Sequence, residues 1–202
     1  MRTPPKPPRS CCERCLRPMS HCLCAHIPAV SNRTRVVVLQ HPDEAKHPLN
    51  TARLAVLGLR RAELWIGEHF PQLEDAIVSV ERALLLFPTK EESPPATHGG
   101  DGALLLIVPD GTWRKARKIV RANPVLNTLP CLSLPAGEPS EYRVRKASEL
   151  AAVSTIEAIV RALTTLEPQQ DFQSLLRPFQ VLVEQQVQAM GEEVYQRNYA
   201  SR

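Results

Sequence analysis

The stretch LLLIVPDGTWRKARKIV, residues 104–120, joins an apolar segment to one dense in lysine and arginine. The apolar residues before Asp110 form an unbroken run, which is typical of a strand buried on both faces of a sheet. After it, Trp113, Ala116 and Val120 recur with the period of a helix. A strand that turns directly into a helix indicates an α/β fold.

The same alternation extends along most of the chain. Strands are predicted at RVVVL (35–39), ELWI (63–66), ALLLF (83–87), ALLLIV (103–108) and CLSL (131–134). Helices are predicted at about 49–61, 72–82, 113–122, 154–166 and 171–197. Residues 89–102 are polar, with paired prolines and glycines, and predict a surface loop. We therefore expect a mostly parallel sheet with helices on both faces, followed by C-terminal helices.

Length and composition favour a single domain with a small appendage. The 202 residues are 43% hydrophobic, enough for a packed core. The net charge of +4 equals that of the first 24 residues, which carry five basic side chains and one acidic side chain. No apolar run is long enough for a signal peptide or a membrane span, so we predict a soluble, cytoplasmic protein. Residues 1–10 are predicted to be a flexible, basic, proline-rich arm.

Five of the six cysteines lie within residues 11–24. In a reducing compartment, such crowding favours a metal over disulfides. The spacing C-x2-C-x6-C-x-C provides four soft ligands for a structural zinc ion in a small lobe, residues 11–30. The proposed ligands are Cys12, Cys15, Cys22 and Cys24. An iron–sulfur centre and free thiols are the alternatives, and Cys11 or His21 can replace a neighbouring ligand.

The turn Asp110-Gly111-Thr112-Trp113 lies where ligands bind in open α/β sheets, outside the carboxyl end of a strand. Gly111 permits an unusual backbone conformation or the close approach of a ligand. Thr112 or Asp110 can cap the following helix. A capped helix with a tryptophan in the core is the alternative interpretation, which needs no function.

The helix after this turn carries a basic face. Its members have the spacing i, i+3, i+4 and i+7, and there is no acidic residue from 113 to 123. They are Arg114, Arg117, Lys118 and Arg121. A solvated surface is the plain alternative, but the run of cations favours a nucleic acid as partner.

Two further groups of polar residues can lie on the same edge of the sheet. The first follows the first strand and consists of His41, Asp43, Glu44, Asn50 and Thr51, although Asn50 or Thr51 can simply cap a helix. The second lies near the end of the chain and consists of Tyr142, Arg143, Arg145, Ser154, Thr155 and Glu157. The two arginines can bind an anion, whereas Ser154 and Glu157 have the spacing of a capping box.

Seven segments together resemble the DTW-domain family, whose members include tRNA-uridine aminocarboxypropyltransferases. They are CERCLRPMSHCLC, QHPDEAKHPLNTARLA, LLFP, DGTWRKA, NPVL, SEYRVR and STIEA, spread over residues 12 to about 166. The resemblance implies a SPOUT-like, knotted α/β catalytic domain over residues 31–202. It also implies transfer of the 3-amino-3-carboxypropyl group of S-adenosylmethionine to N3 of a uridine in tRNA, with release of 5′-methylthioadenosine.

The resemblance also implies roles for individual residues. Asp110, Thr112 and Trp113 match the catalytic motif. The positions expected near S-adenosylmethionine are His41, Glu44, Asn50, Thr51, Tyr142, Arg145, Ser154, Thr155 and Glu157. After Arg145 the chain departs from its relatives, because KASELAAV lacks the proline common there.

Two other functions fit the same sequence. One is a methyltransferase of the SPOUT type, which would transfer the methyl group of the same donor to RNA. The other is a zinc-containing RNA-binding module without catalysis. The oligomeric state is not predicted.

Overall fold

The computed structural model describes residues 10–47, 49–88, 102–134, 153–191 and residue 194. These residues form five strands: β1 Arg35–Gln40, β2 Ala62–Ile66, β3 Arg82–Leu86, β4 Leu104–Asp110 and β5 Cys131–Leu132. The α-helices are α1 Pro42–Ala45, α2 Thr51–Gly58, α3 Leu73–Val78, α4 Trp113–Ala122, α5 Thr155–Leu166 and α6 Arg177–Met190. Short 3₁₀ helices span Met19–His21, Cys24–His26, Pro124–Thr128 and Gln173–Leu176. Within the described residues, no helix is long and apolar enough to cross a membrane.

The strands form one sheet in the order β2-β1-β4-β3-β5, and every neighbouring pair is parallel. β1 and β4 lie side by side in the centre, where Gln40 pairs in register with Asp110. The carboxyl ends of the two central strands are therefore level. The parallel sheet predicted from the alternating pattern is confirmed.

Helices cover both faces of this sheet. Along β4, Leu104, Leu106 and Val108 face the side on which α2, α5 and α6 pack. Leu105 and Ile107 face the opposite side, with α3 and α4. Because successive side chains of a strand point to opposite faces, an unbroken apolar strand needs a cover on each. This two-sided core confirms the layered architecture and holds the carboxyl edge of the sheet in place.

Two helix boundaries differ from the prediction. The helix predicted at 72–82 is α3 and ends at Val78, because the chain must turn before β3 starts at Arg82. The last helix begins at Arg177 after a 3₁₀ turn, since Pro178 suits a first turn, where its missing N–H costs little. It ends at Met190, and the C-cap residue Gly191 has φ of 82°, which favours glycine.

Some predictions fall outside the described residues. They are the loop at 89–102, except for Gly102, and the segment that carries Tyr142, Arg143 and Arg145. The connection from β5 to α5 runs through residues 135–152, also outside them. The SPOUT-like knot therefore stays a prediction.

Candidate active site

The carboxylate of Asp110 lies at the carboxyl edge of the sheet, where three elements meet. Asp110 ends β4 and is buried. Nε2 of Gln40, the last residue of β1, donates to Asp110 Oδ2 at 2.7 Å. The hydroxyl of Thr155, the first residue of α5, donates to Oδ1. Two neutral donors on two elements thus fix the orientation of the carboxylate.

Asn50 extends this network to the chain segment after β1. Its Oδ1 accepts from the backbone N–H of Arg53 at 3.1 Å and so caps α2. Its Nδ2 donates to Gln40 Oε1 at 3.2 Å and to the carbonyl oxygen of Glu44 at 3.2 Å. Asn50 is therefore a helix cap, as its position predicted, and also a neighbour of the residue that holds Asp110. Thr51, next in sequence, is buried at the start of α2.

The turn after Asp110 requires glycine. Gly111 has φ of +149°, and a Cβ there would lie 2.9 Å from Lys115 Cβ and 3.6 Å from both Glu44 Cγ and His41 Cβ. Backbone strain and a clash with the Cβ atom of Lys115 therefore oppose any side chain at this position. Thr112 occupies the N-cap of α4, but its side chain makes no capping hydrogen bond. The capping role predicted as one alternative for Thr112 is wrong, because its hydroxyl is not bonded to the helix backbone.

Trp113 lies at the surface beside this turn. It is 39% exposed, so the alternative of a tryptophan in the core is wrong. Its ring meets Phe87 edge to face, with centroids 6.1 Å apart and planes at 81°. Phe87 directly follows β3, so the pair stands at the same edge as Asp110. Aromatic pairs prefer this geometry, which orients the exposed indole.

Ion pairs tie α1 to α4. Lys115 Nζ lies 2.8 Å from Glu44 Oε1 and 3.4 Å from Asp43 Oδ2. The hydrogen bond to Glu44 and the attraction of the two carboxylates raise the pKa of Lys115. Because Lys115 and Glu44 are both largely buried, this pair is screened less than a surface pair. It fixes the short helix α1 beside the turn at Gly111.

A second set of polar contacts centres on Glu68. Its Oε1 lies 2.9 Å from His41 Nε2 and 2.8 Å from Lys118 Nζ. The hydrogen bond from Lys118 and its charge, together with the hydrogen bond from His41, lower the pKa of Glu68. His41 Nδ1 also accepts from the backbone N–H of Asp43 at 3.3 Å, so the imidazole caps α1. His41 and Lys118, predicted for different roles, thus share one carboxylate.

Ser154 and Glu157 form the predicted capping box. Glu157 Oε2 accepts from the backbone N–H of Ser154 at 2.7 Å and from its hydroxyl at 2.6 Å, and Ser154 caps α5 in return. The box accounts for both side chains and places Thr155 opposite Asp110. Tyr142 and Arg145 lie outside the described residues.

The exposed face of α4 carries Arg114, Arg117, Lys118 and Arg121. Ala116, Ile119 and Val120 on the opposite face are buried against the sheet. The predicted basic face therefore exists on the surface, next to the turn at Asp110.

Four sulfur atoms in the cysteine-rich segment lie within 4.8 Å of one another, those of Cys12, Cys15, Cys22 and Cys24. Cys12 and Cys24 are 3.6 Å apart, and Cys15 and Cys22 are 3.8 Å apart. Disulfide sulfurs would be about 2.0 Å apart. Zinc–sulfur bonds of about 2.3 Å in a tetrahedron place sulfurs about 3.8 Å apart, so the cluster fits zinc. Cys11 and His21 lie outside this group.

The thiols of the cluster differ in acidity. Backbone N–H groups of Cys15 and Arg14 lower the pKa of Cys12 to about 6. Burial, followed by the hydrogen bond with Cys12, raises the pKa of Cys24 to about 12. The Cys12 thiol therefore loses its proton more readily than the Cys24 thiol, whose thiolate needs a nearby cation to stabilise it. A dication among the four sulfurs would supply that charge.

Comparison with known proteins identifies the family. A model of the DTW domain matches residues 9–187. The chain belongs to the DTW-domain family. It is 33% identical over 193 residues to tRNA-uridine aminocarboxypropyltransferase 2 of Drosophila melanogaster, covering 89% of this chain and 76% of that protein. It is 29% identical over 194 residues to tRNA-uridine aminocarboxypropyltransferase A of Arabidopsis thaliana, covering 79% and 74%. The Macaca fascicularis tRNA-uridine aminocarboxypropyltransferase 2 is 31% identical over 189 residues, covering 88% of this chain and 63% of that protein. No solved structure matches.

The DTW domain also contains residues near Asp110 that the sequence pattern did not single out. Gln40 is one, although a polar residue at the end of the apolar run VVVL is a usable signal. Lys115 and Glu68 are two more, and neither belongs to a recognisable local motif. Both act through ion pairs with segments more than 45 residues away, which no local pattern shows.

Proposed function

We propose that this protein transfers the 3-amino-3-carboxypropyl group of S-adenosylmethionine to N3 of a uridine in tRNA and releases 5′-methylthioadenosine. The observation that carries the proposal is the buried, oriented carboxylate of Asp110 at the turn of a DTW domain. The activity named for the relatives supplies the reaction class.

The chemistry of the transfer suits such a site. N3 of uridine carries a weakly acidic imide proton, and Asp110 accepts it as the nitrogen attacks the γ-carbon of the donor. The bond from N3 to the γ-carbon forms while the bond from that carbon to sulfur breaks, and its electron pair stays on sulfur. Because the sulfonium becomes a neutral thioether, the leaving group needs no acid or metal. The protein's main task is alignment of the three atoms.

The donor is proposed to bind at the carboxyl edge of the sheet, around His41, Glu44, Asn50, Thr51 and Thr155. This edge is where ligands bind in open α/β sheets. Arg145, with Tyr142 beside it in sequence, is the proposed partner of the donor's carboxylate. Because methyl and aminocarboxypropyl groups share one sulfur, a site that anchors the amino-acid end would select the larger group for transfer.

The tRNA is proposed to lie along the exposed face of α4. Arg114, Arg117 and Arg121 are exposed there, and Lys118 adds charge although Glu68 offsets part of it. Contacts to phosphates position a nucleic acid without reading its sequence. The target uridine must leave any stack to reach Asp110, since N3 is hidden in a paired base.

The remaining features receive simple assignments. The four-cysteine cluster would hold a structural zinc ion, which would stiffen the lobe and take no part in the transfer. The parallel sheet is proposed to belong to a SPOUT-like, knotted fold. A cytoplasmic location is proposed because that is where such a substrate is available.

The test is an assay with purified protein, unmodified tRNA and S-adenosylmethionine. The RNA is digested and its nucleosides are weighed by mass spectrometry, while 5′-methylthioadenosine is measured in parallel. The proposal expects an aminocarboxypropyl uridine and the thioadenosine in equal amounts. A methylated nucleoside with S-adenosylhomocysteine would show that the protein is a methyltransferase instead. Binding of tRNA without any product would favour the RNA-binding module.

A further inference from the structure

Gln40 is a buried residue that donates a hydrogen bond to Asp110. Its side chain is fully buried, and both ends of its amide are hydrogen-bonded. We infer that Gln40 and Asn50 are positioning residues for the transfer: an amide pair whose orientation is set by the N-terminus of α2 and which presents a donor to Asp110 Oδ2. This inference rests on the proposed function for its effect on activity, but the orientation of the amides can be tested alone.

The direction of the hydrogen bonds follows from one fixed donor. The backbone N–H of Arg53 can only donate, so the Asn50 atom 3.1 Å from it must be the oxygen. The other end of Asn50 is then the NH₂ group, which agrees with its contact to the carbonyl oxygen of Glu44. That NH₂ group also donates to Gln40, so the facing Gln40 atom is its oxygen. Gln40 must therefore turn its own NH₂ group towards Asp110 Oδ2, and the same NH₂ group also donates to Asn50 Oδ1 at 3.1 Å.

A reversal of either amide would leave several buried groups facing groups of the same kind. If Gln40 reversed, its oxygen would face the Asp110 carboxylate at the present 2.7 Å separation, and its NH₂ would face that of Asn50. Buried polar groups without partners are strongly unfavourable. The hydrogen bond that caps α2 thus determines which atom Asp110 meets, two residues away in the network.

Thr155 holds the other oxygen of the same carboxylate. A hydroxyl can donate or accept, whereas the Gln40 NH₂ group can only donate. When Asp110 takes up the substrate proton, Thr155 can therefore adjust and Gln40 cannot. The hydrogen bond from Gln40 therefore keeps its direction and holds the carboxylate in one orientation towards the attacking nitrogen.

A displaced base lowers the rate more than it weakens binding, because alignment matters most as N3 attacks. The amide pair should therefore act on kcat and leave KM for tRNA nearly unchanged. If the two residues served the fold alone, their replacement would lower the melting temperature without a selective fall in kcat.

The first variant is Asn50→Asp. Aspartate keeps an oxygen for the N–H of Arg53 and caps helices as well as asparagine does, so α2 should remain capped. It loses the NH₂ group and places a carboxylate oxygen against Gln40 Oε1, so the repulsion is expected to displace the Gln40 amide from its present contact with Asp110. We expect kcat to fall about 10- to 100-fold, as for a misplaced catalytic group. KM for tRNA should stay within about twofold, a size typical of lost alignment without lost binding.

The second variant is Gln40→Met, which keeps the length of the side chain and removes the donor. It should lower kcat by a similar factor. In the double variant, Asn50→Asp should add little, because the Gln40 amide that the new carboxylate would displace is no longer present. A double variant whose loss equals the product of the two single losses would overturn the inference. So would full activity in Asn50→Asp.

The orientation is read independently from side-chain amide signals in nuclear magnetic resonance spectra. The Gln40 NH₂ signals, assigned as those missing from Gln40→Met, should exchange slowly with water and shift in both Asn50→Asp and Asp110→Ala. Gln40 signals that stay unchanged in both variants would contradict the inference. If the unaltered protein makes no product while these shifts occur, the proposed function fails and the amide pair stands.

Discussion

Replacement of Asp110 by asparagine separates the role of its charge from the role of its shape. The carboxylate accepts from Gln40 Nε2 at Oδ2 and from the Thr155 hydroxyl at Oδ1. Asparagine can keep its oxygen towards Gln40 and donate from its NH₂ group to the Thr155 hydroxyl, which is able to accept. The variant should therefore fold with the same contacts but without a base.

The magnitude of each effect follows from these contacts. Two charge-assisted hydrogen bonds become neutral ones, which costs about 1 to 2 kcal/mol of stability in total. For a domain of this size, the melting temperature should fall by about 2 to 8 °C. The transfer rate should fall by about 10²- to 10⁴-fold, because an amide cannot take the imide proton.

The assay measures single-turnover release of 5′-methylthioadenosine at 25 °C, where both proteins are folded. Asp75→Asn serves as the matched control, because it removes an exposed carboxylate on α3 and should leave the rate unchanged. The intact mass of the variant must be checked, since deamidation would restore aspartate. A folded Asp110→Asn protein that works within about threefold of the original rate would refute the assignment of Asp110 as base, because general-base catalysis contributes at least about 100-fold.

Three other predictions concern the rest of the molecule. Arg117→Glu combined with Arg121→Glu should weaken tRNA binding and reduce the slope of log affinity against log salt by about 2. The control Arg177→Glu on α6 should change neither quantity, and a control that weakens binding as much as the α4 variant would place the RNA elsewhere. The purified protein should contain one zinc ion per chain by elemental analysis, and Cys15→Ser should lose the metal and melt at a lower temperature; iron or no metal would contradict this. Glu167→Gln should lower the free energy of unfolding by about 1 to 3 kcal/mol in denaturant titrations, because the buried carboxylate accepts three hydrogen bonds from the N–H groups of residues 33 and 34. An unchanged midpoint of unfolding would show that these hydrogen bonds do not stabilise the fold.

Sequence patterns predicted the layers of the fold well for a physical reason. β4 is apolar at five successive positions, and such a run is stable only when helices cover both faces of the sheet. Capping residues marked the starts of α2 and α5 correctly, since Asn50 and Ser154 bond to nearby backbone groups. Local chemistry of this kind is visible in the sequence.

The details of the site were less predictable, because they depend on the spatial meeting of distant segments. The spacing of the cysteines predicted the cluster, and the grouping of the four sulfur atoms within 4.8 Å of one another is confirmed. By contrast, Gln40 contacts Asp110 on the neighbouring strand, and Glu68 contacts both His41 and Lys118. The register of the sheet decides these contacts, and a single sequence does not display it.

A doubly labelled donor shows directly whether the aminocarboxypropyl group or the methyl group is transferred. S-adenosylmethionine with deuterium in its methyl group and carbon-13 in its aminocarboxypropyl carbons is incubated with the protein and unmodified tRNA. Mass spectrometry of the nucleosides should show a uridine that carries the carbon-13 label and no deuterium, while the released thioadenosine carries the deuterium. A nucleoside that carries deuterium and no carbon-13 would contradict the account.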